Sequence, residues 1–173
     1  MIKLEHVSKS YAAGIPALND VNLEIEDGEF VFVVGDSGSG KSTLIKLLLK
    51  ELEPTEGTIL VDGKNLGRVK HKQIPKYRRN IGVVFQDYAV WPHLSVWDNV
   101  CYPMKKHKVP KEEIAKRAAY ALEQVRMTGY EKHMPAQLSG GQQQRVAIAR
   151  SLVSSDELIV LDEPITNLDA KLR

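Results

Sequence analysis

One octapeptide near the start of the chain has residue types that could hold a polyphosphate. Residues 35–42 read GDSGSGKS and fit the pattern G-x-x-x-x-G-K-[ST], in which glycines let backbone N–H groups close around phosphates. Lys41 and the Ser42 hydroxyl would reach the phosphates and a Mg²⁺ ion. Because glycine makes up about 7% of average composition, the pattern occurs by chance in roughly one chain in a few hundred. The predicted secondary structure on either side of the pattern must therefore decide whether it is a phosphate-binding loop.

Both flanks of this loop have the character that phosphate binding needs. Residues 30–34 form an unbroken apolar run, which predicts a parallel strand buried on both faces. Residues 41–49 predict a helix, whose unpaired N–H groups and positive dipole end would point at the loop. The alternative is a glycine-rich turn with an exposed lysine, and the predicted strand and helix favour the phosphate loop.

A second segment carries two adjacent carboxylates. The apolar run at 158–161 predicts a strand, and Asp162 and Glu163 follow it at the carboxyl edge of the sheet, where ligands of open α/β sheets bind. Asp162 is predicted to hold Mg²⁺, and Glu163 to orient or deprotonate the attacking water. Without the loop at 35–42, a solvated turn would explain the pair about equally well.

Residues 138–142 read LSGGQ, and with the loop and the acidic pair they make the chain resemble the ATP-binding cassette (ABC) ATPases, whose signature they match letter for letter. Ser139 is predicted to cap a helix over 142–153, and Gly140 and Gly141 allow close backbone approach to an anion. In the family the signature faces the γ-phosphate bound by the other subunit. The resemblance therefore implies ATP and Mg²⁺ as cofactors and a second ABC ATPase subunit, in a homodimer or a heterodimer.

The resemblance also assigns roles to individual residues. Nucleotide contacts are implied for Tyr11, Gly35, Ser37, Gly38, Ser39, Gly40, Lys41, Ser42, Thr43, Ser139, Gly140, Gly141, Gln142 and Asp169. Metal contacts are implied for Ser42, Gln86 and Asp162, and catalytic roles for Glu163, Gln86 and Lys41. Tyr11 would stack on adenine, Gln86 would sense Mg²⁺ and the attacking water, and Asp169 would lie in a loop crossing the dimer interface. A surface tyrosine, a turn glutamine and a helix N-cap are the respective alternatives.

The order of elements predicts an α/β fold, and the resemblance implies a P-loop NTPase with a RecA-like core. That core has a mainly parallel sheet, N-terminal antiparallel strands and an inserted α-helical subdomain. Strands are predicted at 3–7, 21–25, 57–61 and 81–85, with a turn at Asp62 and Gly63 after the third strand. A helix is predicted at 111–125, with one apolar face made by Ile114, Ala118, Ala121, Leu122 and Val125. Residues 1–86 are expected to form the first part of the nucleotide-binding core, 87–154 the helical subdomain with the signature, and 155–173 the resumed core with the Walker B strand and the D-loop.

Composition and charge add little to this assignment. The net charge of +2 argues neither for nor against a polyanion partner, and a single cysteine, Cys101, excludes an internal disulfide and suits a small buried side chain in a reducing cytosol. No run approaches 18 apolar residues and no signal peptide opens the chain. We expect a cytoplasmic protein that meets the inner face of the cell membrane through a permease.

Two segments suggest partners. Aromatic and apolar residues at 91–97 follow Gln86. The resemblance implies that a short helix of the membrane permease contacts this chain between Gln86 and Trp97. Packing inside the helical subdomain explains the tryptophans about as well. The other segment is basic and contains Arg68, Lys70, His71, Lys72, Lys76, Arg78 and Arg79. A solvated face is favoured over contact with anionic lipid, and no nucleic-acid partner is expected.

Three functions are compatible with the resemblance. The favoured one is an ATP-hydrolysing, energy-coupling subunit of an ABC transporter. An importer is favoured because 90–96 and 167–173 look like importers of sugars, iron, thiamine or polyamines. The second is a cell-division-type regulatory ATPase that transmits force without transport, since 46–86 look most like the bacterial cell-division ATPase of this superfamily. A soluble cassette acting on ribosomes or DNA is the weakest, because no heptad tract is present.

Two departures from the family pattern carry expectations of their own. Family members continue to a strand and a histidine that contacts the γ-phosphate, whereas this sequence stops at Arg173. We therefore expect a fragment that lacks the C-terminal part of the core, leaves the strands at 30–34 and 158–161 without their shared neighbour, and hydrolyses ATP poorly alone. Asp36 stands where the family commonly has proline or a small neutral residue, and should weaken binding only slightly if solvated.

Overall fold

Alternating apolar and polar residues at the start of the chain build a four-stranded antiparallel sheet. A computed structural model of the protein describes residues 1–11, 14–84, 88–154 and 158–162. Strand β1 (Ile2–Ser10) lies between β2 (Pro16–Ile25) and β3 (Glu56–Val61), and the short β4 (Lys64–Asn65) completes the order β2-β1-β3-β4. The strands predicted at 3–7, 21–25 and 57–61 are thereby confirmed, each within a longer strand.

A tight turn joins β3 to β4. Asp62 and Gly63 both have left-handed backbone angles, with φ of 49° and 71°, which is the requirement of a two-residue type I′ hairpin turn. The predicted turn is confirmed, and it pairs Val61 with Lys64. After this hairpin come two 3₁₀ turns and helix α2 (Ile74–Arg78).

The chain divides into two compact units, residues 1–78 and 79–173. The first contains the antiparallel sheet and helix α1 (Lys41–Leu48), which ends one residue before the predicted helix does. The second contains a parallel pair, β5 (Ile81–Val84) and β6 (Leu158–Leu161), together with helices α3 (Val96–Lys106), α4 (Lys111–Gln124) and α5 (Gly140–Ser154). The boundaries expected at 86/87 and 154/155 follow family roles and remain predictions.

Helices α3, α4 and α5 bury a common apolar core. The face predicted for α4 is confirmed, because Ile114, Ala118, Ala121 and Leu122 are buried there and Val125 packs against the same cluster. Cys101 on α3 is fully buried, as predicted, and this burial raises the pKa of its thiol to about 11. Among the residues that the structure describes, no helix combines the length and the apolar composition needed to cross a membrane.

The apolar run at 30–34 does not form the predicted strand. No strand is assigned there, and the side chains are exposed, from 37% at Val31 to 86% at Val34. A parallel strand exists only when its backbone pairs with a neighbour, and within the described ranges no strand pairs with these residues. The prediction of a buried parallel strand is therefore wrong for this chain: apolar composition alone was not enough.

Candidate functional site

The loop at 35–42 is closed around its own lysine. The Lys41 ammonium donates to the Gly35 carbonyl at 2.6 Å and to the Asp36 carbonyl at 2.9 Å, and the Ser39 N–H donates to the same Asp36 carbonyl at 3.1 Å. The Asp36 side chain is exposed, so its charge is solvated as the slight effect on binding requires. Lys41 thus links its positive charge to the two carbonyls at the start of the loop.

Helix α1 begins without a side-chain cap among the described residues. Gly40 precedes the helix and has no side chain that could cap it, and the first turn contains no acidic residue. The first N–H groups of a helix seek acceptors and carry its positive dipole end, so this end suits an anion. With Lys41 and the exposed Ser42 hydroxyl beside it, the residues present fit a polyphosphate with Mg²⁺.

Backbone contact explains why a glycine stands at position 40. Its φ is +95°, and a β-carbon there would lie 2.3 Å from the Ala17 carbonyl oxygen of β2. A side chain is therefore excluded both by backbone angle and by space. Gly38 has a similar φ of +85°, but a β-carbon there meets nothing within 4 Å. The two glycines consequently form a matched pair.

We expect Gly40→Ala to destabilise the protein by about 2 kcal/mol more than Gly38→Ala, because both variants strain the backbone but only the first forces β2 and the loop apart. Urea unfolding followed by circular dichroism measures the difference. Equal losses in the two variants would contradict the contact between the loop and β2.

Tyr11 lies against the same helix through its hydroxyl. Its oxygen is 3.2 Å from the Thr43 hydroxyl, while 46% of the residue is exposed and the Lys9 ammonium lies 6.0 Å from the ring centroid. Thr43 itself is buried. The ring is thus fixed at one end and open to solvent, a geometry suited to stacking on a planar base; adenine stacking stays a prediction.

The signature residues form the start of helix α5. The Ser139 hydroxyl accepts from the Gln142 N–H at 3.3 Å, and the Gln142 side-chain oxygen accepts from the Ser139 N–H at 2.9 Å, which is a reciprocal capping box. Ser139 is the helix cap, as predicted, although the helix begins at Gly140 rather than at 142. Ser139 and Gly140 are exposed. Because Ser139 accepts here, its hydroxyl proton is still available to an outside acceptor.

The acidic strand ends beside the strand that precedes Gln86. Strands β5 and β6 run in parallel with Val84 opposite Leu161, and the Asp162 N–H donates to the Val84 carbonyl at 2.9 Å. The predicted strand at 158–161 is confirmed residue for residue. Asp162 therefore lies at the carboxyl edge of this pair, where ligands bind in such sheets. Gln86, Glu163 and Asp169 lie outside the described residues.

The aromatic segment, defined as residues 88–97, is fixed by a buried asparagine that the sequence did not single out. Asn99 is fully buried; its side-chain oxygen accepts from the Trp91 N–H at 2.9 Å, and its amide group donates to the carbonyls of Trp91, Leu94 and Ser95. Trp97 packs against the helical core. Packing thus explains that tryptophan, and contact with a permease stays a prediction. Only the burial of a polar side chain reveals Asn99, and burial is not visible in one sequence.

The basic residues of the predicted solvated face are exposed, as expected: Arg68, Lys70, His71, Lys72, Lys76, Arg78 and Arg79. Arg78 also donates to the carbonyls of Leu49 and Lys50 just beyond α1. Arg78 therefore caps the C-terminal end of α1, and this structural role needs no partner molecule.

Solved structures of known proteins share this fold. The ATP-binding cassette MJ0796, seen as a dimer in a post-hydrolysis state bound to ADP and Pi, is 41% identical with a TM-score of 0.85 over 99% of this chain and 77% of that one. CbiO1 of Clostridium perfringens, part of the ABC transporter complex cbiONQ, is 36% identical with a TM-score of 0.87 over 97% of this chain and 67% of that one. These likenesses confirm the predicted P-loop NTPase fold of an ABC ATPase.

The curated relatives include a cell-division protein and a polyamine import protein. The cell division ATP-binding protein FtsE of Bacillus subtilis (strain 168) is 46% identical over 169 residues, which are 98% of this chain and 74% of the relative. The spermidine/putrescine import ATP-binding protein PotA of Rubrobacter xylanophilus is 42% identical over 172 residues, 99% of this chain. The chain spans 44% of the length of that PotA relative.

The family model described as ABC transporter matches residues 18–166, which contain the phosphate loop, the signature and Asp162. ATPases of this family bind ATP, typically with Mg²⁺, and their cassettes work as dimers. With the family model and the 46% identical relative in agreement, the chain belongs to the ABC transporter family as an ATP-binding cassette.

Proposed function

We propose that this chain is the ATP-binding and ATP-hydrolysing, energy-coupling part of an ABC importer, acting as a head-to-tail dimer with a membrane permease. The observation that carries the proposal is the phosphate loop, where Lys41 bridges two carbonyls at 2.6 and 2.9 Å in front of an uncapped helix start. An incoming phosphate would exchange those two neutral acceptors for charged ones, which bind an ammonium more strongly. Its place would be the inner face of the cell membrane.

The residues divide the work of phosphoryl transfer between binding and chemistry. Lys41 and the α1 amides bind and orient the phosphates, and Ser42 and Asp162 would hold Mg²⁺, which when bound offsets phosphate charge. Glu163 would orient or deprotonate the attacking water, and Gln86 would contact Mg²⁺ and sense that water. Tyr11 orients the base by stacking. These roles follow the family resemblance residue by residue.

The second subunit completes the site from its signature. The capping box at Ser139 and Gln142 holds the helix start in place, and the exposed Ser139 hydroxyl proton with the first amides of α5 offers donors to a γ-phosphate. Asp169 would lie at the interface between the subunits. Because one copy completes neither site, we propose that a single, unpaired copy of the chain turns over ATP slowly or not at all.

A cell-division-type role is the second candidate, and the 46% identity to FtsE favours it. Such a subunit would use the same closing and reopening cycle to transmit force through a membrane partner without moving a solute. The two candidates differ in what binds beside them. Co-purification of a permease with a solute-binding protein supports import, whereas a lone four-span membrane protein supports the division role.

Calorimetry on an extended protein, in which the chain is carried on to the length of its relatives, tests the common core of both candidates. We expect MgATP to bind and, with hydrolysis blocked, to convert the protein into a dimer on gel filtration, since each ATP needs two subunits. Absence of binding heat with both ATP and GTP in excess Mg²⁺ would remove the proposal. Binding without dimer formation would remove only the head-to-tail arrangement.

A further inference from the structure

Arg150, in the last part of helix α5, is a buried cation that the proposed chemistry does not use. The residue is only 8% exposed. One terminal nitrogen donates to the Ala89 carbonyl at 2.8 Å and the other to the Tyr88 carbonyl at 3.1 Å, while the guanidinium carbon lies 4.5 Å from the centroid of the Trp91 ring. Every one of these partners belongs to the aromatic segment.

No carboxylate balances this charge within the part of the chain that the structure describes. Burial without such a partner lowers the pKa of Arg150. A buried charge is expensive unless it is well bonded, and well-packed apolar residues in its place often stabilise a protein equally well or better. The two hydrogen bonds of the Arg150 guanidinium and its contact with the Trp91 ring are therefore better explained by their effect on the position of the aromatic segment than by protein stability alone.

The part of the aromatic segment that Arg150 contacts has a strained backbone conformation that needs stabilising contacts. Tyr88 and Ala89 are consecutive residues with left-handed backbone angles, at φ of 61° and 42°. Such backbone angles are strained for residues that carry a side chain, and they persist only where surrounding contacts enforce them. Their carbonyls converge on one guanidinium, a double contact that a single-point ammonium cannot reproduce.

Helix α5 contains both the signature residues and Arg150. Gly140 opens the helix and Arg150 lies ten residues later, about 15 Å along the axis at the usual rise. Asn99 meanwhile fixes the following part of the segment to α3. One helix and one side chain would thus carry a shift of the signature end of α5 to Tyr88 and Ala89.

We propose that Arg150 is a positioning residue that makes the aromatic segment move together with the signature helix. This inference rests on the proposed function, in which the signature meets the partner's nucleotide and the aromatic segment meets the permease. Arg150 would then set how fully closure of the two cassettes reaches the membrane partner, without touching nucleotide itself.

The test uses the extended protein with Glu163→Gln to hold bound ATP and with every tryptophan except Trp91 replaced by phenylalanine. MgATP should change the Trp91 fluorescence, and Arg150→Lys should remove most of that change while the calorimetric Kd stays within about twofold, because the phosphate contacts are untouched. The nucleotide-induced change is compared rather than the starting emission, which the lost stacking alters by itself. Arg145→Lys is the matched control, since Arg145 lies on the same helix but donates to Val125 at 3.5 Å.

A second readout needs no nucleotide and so separates this inference from the proposed function. Chymotrypsin should cut after Tyr88 about tenfold faster in Arg150→Lys than in Arg145→Lys, and Arg150→Met should do the same if the lysine variant folds poorly. Unchanged cleavage, a fluorescence response that survives Arg150→Lys, or MgATP binding without any Trp91 response would each overturn the inference. Failure of MgATP to bind, with cleavage still faster, would overturn the proposed function alone.

Discussion

Lys41→Ala is expected to lower the affinity for MgATP about a hundredfold. Hydrogen bonds to charged groups contribute about 1.5–3 kcal/mol each, and every 1.4 kcal/mol is a factor of ten in affinity. Lys41 bonds to the Gly35 and Asp36 carbonyls of the loop, so its ammonium lies where the proposed phosphate would enter. Calorimetry with saturating Mg²⁺ measures the loss, and turnover should fall with it.

Lys46→Ala provides the matched control for this charge. Lys46 lies on the same helix α1, in its last turn, and is exposed. It should bind MgATP like the unmodified protein, because a solvated charge several residues from the loop contributes little. Equal affinities for Lys41→Ala and Lys46→Ala would mean that the loop is not the phosphate site. Thermal unfolding of both variants checks that the alanine at 41 has not simply loosened the loop.

Features that depend on neighbouring residues were predictable from the sequence. The phosphate loop and the capping of α5 by Ser139 are each specified within a few residues, by glycine positions and a capping pair. Local chemistry decides such elements because their hydrogen-bond partners are close in sequence. The same reason accounts for the Asp62–Gly63 turn.

Features that depend on distant partners were not predictable. The run at 30–34 has the composition of a buried strand, yet it is exposed and unassigned, because a strand requires a neighbour that its own sequence does not encode. Arg150 reaches carbonyls 61 and 62 positions away, and nothing near Arg150 in sequence announces that contact. The role of Asn99 is not visible in the sequence for a related reason, since it depends on full burial.

Glu163→Gln separates binding from chemistry. Glutamine keeps the size of the side chain but cannot accept a proton, so turnover should fall at least about a hundredfold, the usual contribution of a general base. Phosphate release at saturating MgATP measures the loss in the extended protein, and calorimetry should show unchanged nucleotide affinity. In the proposed cycle the closed subunits reopen only after hydrolysis, so this variant should also accumulate as a dimer.

A variant of Asp162 shows whether the effect of Glu163→Gln is on chemistry or on metal binding. Asp162→Asn should raise the Mg²⁺ concentration needed for turnover, since a neutral amide is a weaker ligand for the metal, whereas Glu163→Gln should leave that concentration unchanged. Glu123→Gln, at an exposed position of α4, controls for the loss of one negative charge and should behave like the unmodified protein. Phosphate release by Glu163→Gln at the unmodified rate would remove Glu163 from its assigned role, while leaving Lys41 and Asp162 in theirs.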